Sequence, residues 1–323
     1  ASVALPSYRP QGHRRRIEPV HPSVNETTLP AADQSAAEAL GTARNAILRF
    51  MFEVDPTWEI DWQKVDLSDG FWRMIVEHGE AYNFVFQLPM RPGDTTRYFV
   101  IPAALQMGWK NSPAYFCLGT EGARELIRRL LALTFETGIH KPHRHEALCV
   151  THPRELEAAL HQEWIRPTAC ALFSRCFVDD FMNGLAGEPS RTSRHQEQLW
   201  FSRATMHAIH AVFPPPDVTG CTGKDSVSEK KLAKGDATFK ITEELLGFEF
   251  CGATGAGRTV GMRPEKQEKY VAHIQDALQQ PRGFVTLPAF QSLRGKLGFA
   301  TNCIPCLRGI MTPLNRGMAY TKD

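Results

Sequence analysis

Phe177-Val178-Asp179-Asp180-Phe181-Met182-Asn183-Gly184 is the stretch on which the reading of this chain turns. An apolar run ends in two adjacent carboxylates, and Asn183-Gly184, a good turn dipeptide, lies just beyond. The pattern predicts a buried strand entering a hairpin. Charge placed against a core costs free energy unless a cation or hydrogen bonds compensate it. The hairpin tip is therefore a candidate metal site, although a lone Asp-Asp pair is more often a solvated turn. A second segment strengthens the metal reading. Val65-Asp66-Leu67-Ser68-Asp69-Gly70-Phe71 also carries an Asp at the end of a short apolar approach. Like charges about 4 Å apart repel by roughly 4 kcal/mol at an effective dielectric near 20. Three carboxylates drawn together would therefore demand a metal.

The 323 residues, 42% of them hydrophobic, suffice for a large core and two or three subdomains. No run approaches the roughly 18 uninterrupted apolar residues of a membrane span. The N-terminal segment, with Arg14-Arg15-Arg16 and no apolar stretch after it, is not a secretory signal. Eight Cys are scattered through core-like segments, which suits reduced thiols better than a disulfide framework. These features read as an intracellular, soluble protein with no membrane partner.

The net charge of +2 hides an uneven distribution. Residues 1–30 carry +2 and residues 258–323 carry +6, which leaves −6 for the stretch between. Basic ends around an acidic centre suit a protein that holds a phosphate backbone at its ends and metal ligands in its middle. Ordinary surface variation accounts for the same partition when charge is judged alone.

Residues 1–35 read as irregular, apart from a candidate strand at Arg14–Val20. Apolar spacing predicts a helix over Ala36–Phe52. A helical turn is expected between Asp66 and Glu80. Strand-like runs over Ala81–Leu88 and Tyr98–Ala103, joined by Arg91-Pro92-Gly93-Asp94, predict a hairpin. Ser112 as N-cap and Pro113 at the first helical position open an amphipathic helix that reaches about Thr134. Another helix is expected over Ser193–Phe213, ended by Pro214-Pro215-Pro216. Residues 135–165 hold His140, His143, His145, Cys149, His152 and His161, without the paired spacing of a recognised zinc motif. We read them as solvated loop and helix rather than a metal site. Cys303-Ile304-Pro305-Cys306 has no answering Cys pair and reads as packing.

Taken in order, five blocks of this chain resemble a reverse transcriptase of the retrotransposon type. They are Asp66 to Phe71; Gln106-Met107-Gly108-Trp109-Lys110-Asn111-Ser112-Pro113-Ala114-Tyr115-Phe116; Phe177 to Asp180; Leu245-Leu246-Gly247-Phe248-Glu249-Phe250; and Phe290 to Pro305 with its Leu-Arg-Gly-Lys-Leu-Gly-Phe-Ala core. The resemblance implies an α+β right-hand polymerase fold. It places fingers at 1–41 and 74–111, palm at 42–73 and 112–253 with an insertion near 135–165, and the thumb with the start of a connection at 254–323.

What the resemblance implies for chemistry follows residue by residue. Asp66, Asp179 and Asp180 would be catalytic and would hold two Mg²⁺ ions, with Mn²⁺ as a substitute, for phosphoryl transfer to a primer 3′-hydroxyl. Asp180 is often the less central ligand. Asp69, Gly70 and Phe71 would lie under the deoxynucleoside triphosphate, Phe71 as the steric gate against a ribose 2′-hydroxyl; Asp69 equally suits a turn cap, and Phe71 core packing. Met107, Gly108 and Lys110 would line the nascent pair, although Met107 departs from the Gln common in retroviral enzymes and Lys110 also suits plain exposure. Arg16 and its neighbours resemble the basic fingers segment that contacts the triphosphate; an exposed Arg run fits equally. Lys230-Lys231 lie where a polymerase supplies a lysine general acid. Leu245, Leu246, Gly247 and Phe248 would be the primer grip. The partners would be RNA and DNA template-primer and deoxynucleoside triphosphates. No acidic cluster after the thumb block suggests RNase H or integrase, so the chain is a fragment of a polyprotein or those activities lie elsewhere. The rival expectations are a catalytically retired, domesticated domain that binds nucleic acid and an RNA-dependent RNA polymerase, which Phe71 disfavours.

Overall fold

The computed structural model describes residues 35–93, 95–150, 170–215, 224–280, 285–301 and 311–319, together with residues 25, 154, 157 and 309. In chain order its helices are α1 (Ser35–Glu53), α2 (His78–Ala81), α3 (Ser112–Thr137), α4 (Arg194–Val212), α5 (Glu229–Leu232), α6 (Pro264–Gln279), α7 (Leu287–Ala300) and α8 (Met311–Ala319). Its strands are β1 (Glu59–Asp66), β2 (Phe86–Gln87), β3 (Phe99–Val100), β4 (Cys170–Phe177), β5 (Asp180–Gly187), β6 (Thr242–Leu245), β7 (Phe248–Gly252) and β8 (Arg258–Gly261). Antiparallel sheets with helices packed on them make this an α+β chain.

The central sheet has the order β1-β5-β4, so β5 is flanked on both sides. Its side chains alternate between two cores, as the two-residue period of a strand requires. Phe181 and Leu185 pack with Val65, Phe116, Phe201 and Ile209, on the side covered by α3 and α4. Met182 and Ala186 pack with Ile47, Met51, Ile60 and Trp62, on the side covered by α1 and the second sheet. A strand buried on both faces reads as a near-continuous apolar run, which is why the Asp-Asp pair stands out at its start. The second sheet, β6-β7-β8, joins the edge of β1 through a bridge in which Trp62 and Lys240 exchange backbone hydrogen bonds of 2.7 and 2.8 Å.

Asn183-Gly184 corrects the expectation of a turn. Both residues lie inside β5, opposite Gln63 and Trp62 of β1. Tertiary contacts override the local turn preference. The Asn183 amide donates to Gln63 Oε1 (2.8 Å) and Thr205 Oγ1 (3.0 Å) and accepts from Ser174 Oγ (2.8 Å). Gly184 is needed for space: a Cβ there would come within 2.9 Å of the Trp62 ring. The turn instead falls earlier, at Val178-Asp179, between Phe177 and its partner Asp180.

Other expectations shift less. The Ala36–Phe52 helix is extended by one residue at each end, and the Ser193–Phe213 helix is trimmed by one at each end. In α3, Asn111 takes the cap position, and Ser112, the first helical residue, donates its hydroxyl to the Gln106 carbonyl at 2.7 Å. The helix runs on to Thr137 and stops at Gly138, whose φ is 70°. The Ala81–Leu88 and Tyr98–Ala103 hairpin has only two residues per strand, because Phe86 and Phe99 are exposed and no core rewards a longer ladder.

The His-rich segment is solvated only in part: among its described residues Ile139, Lys141 and Arg144 are exposed, but not all of its histidines are. His143 and His145 are buried. Cys117, Cys149, Cys170, Cys176 and Cys251 are free thiols. Among the described residues no helix is long and apolar enough to cross a membrane. The Arg14–Val20 strand, Arg16, His152, His161, Asp94, the Cys303–Cys306 pair and almost all of segment 1–34 lie outside the described residues.

Candidate active site

Asp66 ends β1, Asp180 begins β5, and the register sets them directly opposite one another. Lys64, two residues before Asp66, shares their face of the sheet. Asp179 occupies the two-residue turn just before Asp180. Val178, the other turn residue, has φ 56°, a conformation a β-branched side chain adopts only under strain of about 1–2 kcal/mol. The turn is fastened to the segment after β1. Leu67 N–H donates to the Asp179 carbonyl at 2.8 Å, and a Cβ added at Gly70 would lie 3.7 Å from Asp179 Cβ. The structure thus gathers all three aspartates at one end of the β1–β5 pair.

Two ammonium groups are drawn in with them. Lys231 Nζ, from α5, lies 2.6 Å from Asp66 Oδ2, and Lys64 Nζ lies 3.1 Å from Asp180 Oδ1. Two of the three carboxylates thus have a lysine beside them. Asp66 is turned to Lys231 and Asp180 to Lys64, and the three carboxylates do not all approach within 4.8 Å of one another. Among the described residues only His145, His210 and Asp225 do so as a set of three.

Burial dominates the electrostatics. It pushes the Asp180 carboxyl up to about 6; the Lys64 ammonium opposes the rise, and Asp179 and Asp66 add to it. Asp179 is raised too, by burial first and then by Asp66, against the pull of Lys231 and Lys64. Burial disfavours the Lys64 ammonium, but Asp180, Asp66 and Asp236 outweigh it and hold its pKa above the ordinary value.

Compared with models of known protein families and with curated proteins, the chain matches none. What the site does therefore rests on its own geometry.

Phe71 follows Gly70 in a single 3₁₀ turn and is half-buried, its ring 4.7 Å from that of Phe116 in α3. Asp69 sits in the left-handed region (φ 61°) at the head of that turn, but its side chain makes no capping bond and lies 4.0 Å from Arg73. The Arg73 guanidinium locks the turn by donating to the Ser68, Lys224 and Asp225 carbonyls at 3.0, 2.6 and 2.7 Å. Gly108 has φ 102°, which favours glycine, and its carbonyl accepts from the Asn25 side chain at 2.9 Å. Met107 and Lys110 are exposed, and the Lys110 N–H donates to Asn25 Oδ1 at 2.9 Å. Trp109 stacks on Tyr115 with ring centroids 5.8 Å apart.

Leu246 and Gly247 form the tight turn between β6 and β7, with φ 52° and 78°. Leu245 and Phe248 on either side of it are buried. Phe248 stacks on Phe299 of α7 at 4.5 Å, and Lys266 of α6 donates to the Gly247 carbonyl at 3.0 Å. A cleft of about 710 Å³ runs from Lys64, Asp180 and Phe177 to Gly247 and Phe248. It connects the acidic cluster with this hairpin.

Lys64 and Arg73 lie outside the motif blocks of the sequence, and Phe116, at the end of one of them, has no role that the sequence alone assigns. Lys64 alone had a local signal, its two-residue spacing from Asp66 in a strand. Arg73 and Phe116 are brought in by tertiary packing.

Proposed function

We propose that this chain is the polymerase part of a retrotransposon-type reverse transcriptase, an RNA-directed DNA polymerase. The observation that carries the reading is Asp66 set opposite Asp180, with Asp179 in the adjoining turn. A cluster of hard carboxylate oxygens fits Mg²⁺ in donor type, and Asp179 and Asp180 stay raised even with Lys64 and Lys231 beside them, so the two lysines offset the cluster's charge only in part. Asp66 and Asp179 would hold two Mg²⁺ ions, or Mn²⁺ in their place, with Asp180 completing the cluster. When bound, the ions supply activation of a primer 3′-hydroxyl and neutralisation of the departing pyrophosphate.

The chain's own residues then position the reactants. Gly70 brings the backbone under Asp179, and Phe71, braced by Phe116, presents a ring that excludes a ribose 2′-hydroxyl. The cleft that reaches from Asp180 to Gly247 gives the primer end a path to the carboxylates, with Leu245 to Phe248 as its grip. In a right-hand polymerase arrangement, residues 1–41 and 74–111 would be fingers, 42–73 and 112–253 palm, and 254–323 thumb. The substrates would be RNA or DNA template-primer and deoxynucleoside triphosphates. RNase H or integrase domains would belong to a parent polyprotein.

Primer extension on matched RNA and DNA templates with Mg²⁺ tests the reading, beside Asp179→Asn. Deoxynucleotide incorporation on RNA that disappears in the variant supports it. Ribonucleotide incorporation would point to an RNA-dependent RNA polymerase.

A second reading draws support from Lys64 and Lys231, which already neutralise two of the three carboxylates. On that reading the domain is catalytically retired and only binds nucleic acid. Tight template-primer binding with no Mg²⁺- or Mn²⁺-dependent extension would favour it.

A further inference from the structure

Behind the turn that follows Asp66, three segments distant in sequence converge on one carboxylate. Asp225 accepts from His210 Nε2 at 2.7 Å through one oxygen and from His145 Nε2 at 3.1 Å through the other. His145 comes from the loop after α3, His210 from the last turn of α4, and Asp225 from the segment before α5. One ligand atom from each lies within 4.8 Å of the others. The side chains of His145, His210 and Asp225 are only 5%, 12% and 12% exposed.

We propose that His145, His210 and Asp225 form a binding site for a divalent transition-metal ion, with Zn²⁺ as its occupant, separate from the aspartate cluster. Two imidazoles and a carboxylate are the borderline and hard donors such an ion takes, and the set leaves a fourth position for water. Three donors from three segments need little ordering on binding, because the fold already holds them together. Neutral imidazole is the ligating form. His143 supplies the outer contact that orients a ligating ring. Its Nε2 lies 3.1 Å from His210 Nδ1, the nitrogen turned away from Asp225.

The site has a structural task. Asp225 also anchors the far side of the Asp66 turn, since its carbonyl accepts from Arg73 and its neighbour Ser226 accepts from Ser68 N–H at 2.7 Å. Val227 bridges to Leu67, the residue after Asp66. A metal at Asp225 therefore clamps the His-bearing loop and the end of α4 to the segment that carries Asp66. The alternative is a hydrogen-bonded network without metal, in which Arg144 and the Val227 N–H, at 2.5 and 2.9 Å, complete the Asp225 shell.

The test is metal stoichiometry of the chelator-stripped chain on titration with Zn²⁺, repeated with Co²⁺ for its ligand-field absorption. A single tight equivalent is expected, accompanied by a rise in the thermal unfolding temperature. It is expected to persist in Asp179→Asn, which separates it from the aspartate cluster, and in His207→Ala, whose Nε2 is engaged with the Lys141 carbonyl. It should be lost in His145→Ala and in His210→Ala. His143→Ala should weaken it by roughly 10- to 100-fold. If the His variants fail to fold, the wild-type stoichiometry and the Co²⁺ spectrum still decide. A stripped chain that takes up no stoichiometric Zn²⁺ or Co²⁺ overturns the proposal, as does tight binding lost in Asp179→Asn.

Discussion

Lys231 Nζ sits 2.6 Å from Asp66 Oδ2, so an ammonium ion holds the carboxylate that the polymerase reading assigns to a metal. A divalent ion arriving at Asp66 must displace or share this partner. Lys231→Met is therefore expected to raise the affinity for Mn²⁺, measured by water-proton relaxation without nucleotide. The cost to stability should stay below about 1 kcal/mol, because the Lys231 side chain is 46% exposed and the pair is partly screened by solvent. A fall in Mn²⁺ affinity would mean that Lys231 supports the ion site instead of competing for it.

Asp180 predicts an inverted response to acid. Its pKa is raised in the folded chain to about 6 from 3.8, so the folded state binds its proton more tightly than the unfolded state does. The ionised group thus lowers stability at neutral pH, and the penalty fades as pH falls from about 6 toward 3.8. In metal-free buffer Asp180→Asn should be more stable than the parent at pH 7, by something on the order of 1–3 kcal/mol. That advantage should shrink as pH is lowered through this window. Urea unfolding of both proteins across the range reads the difference, and an advantage that grows on acidification would contradict it.

Phe71 rests on Phe116 at 4.7 Å, and on the polymerase reading a ring held from behind in this way could not retreat from a bulkier sugar. Phe71→Val should admit ribonucleotides, with the preference for deoxynucleotides falling roughly 10- to 200-fold in kcat/KM terms. If the ring is only core packing, the variant would lose stability with the sugar preference unchanged. Single-nucleotide extension with paired deoxy- and ribonucleotide substrates separates the two outcomes.

How far the sequence could be read depended on whether the signal was local. Asp66, Asp179 and Asp180 were legible because each ends an apolar run, and burial of charge marks itself in a single strand. The long helices α1 and α3 were legible from their apolar spacing, and α4 was bounded by the proline run that follows it. Asn183-Gly184 misled, because turn preference is a local property and the Gln63–Asn183–Thr205 amide network that holds it in β5 is not. The His residues misled for the same reason. Motif spacing finds neighbours in the chain, whereas His145 meets His210 and Asp225 only after α4 packs on the loop. Lys231 falls where the resemblance places a lysine general acid, but nothing near it in the chain announces that it lands on Asp66.

Val178 offers the sharpest test of whether the hairpin is built for chemistry at the expense of comfort. With φ 56°, it takes a position that a two-residue turn ordinarily gives to glycine. Val178→Gly should relieve about 1–2 kcal/mol of backbone strain. The greater freedom of glycine in the unfolded chain offsets about 0.5–1 kcal/mol of that gain. The variant should therefore be at least as stable as the parent in urea. Extension should nevertheless slow, because the valine restricts the turn that presents Asp179, and a glycine lets the carboxylate wander from its place above Gly70. Equal stability with undiminished extension would show that the strain serves no positional purpose. A marked loss of stability would show that packing of the Val178 side chain against the neighbouring core outweighs its backbone cost.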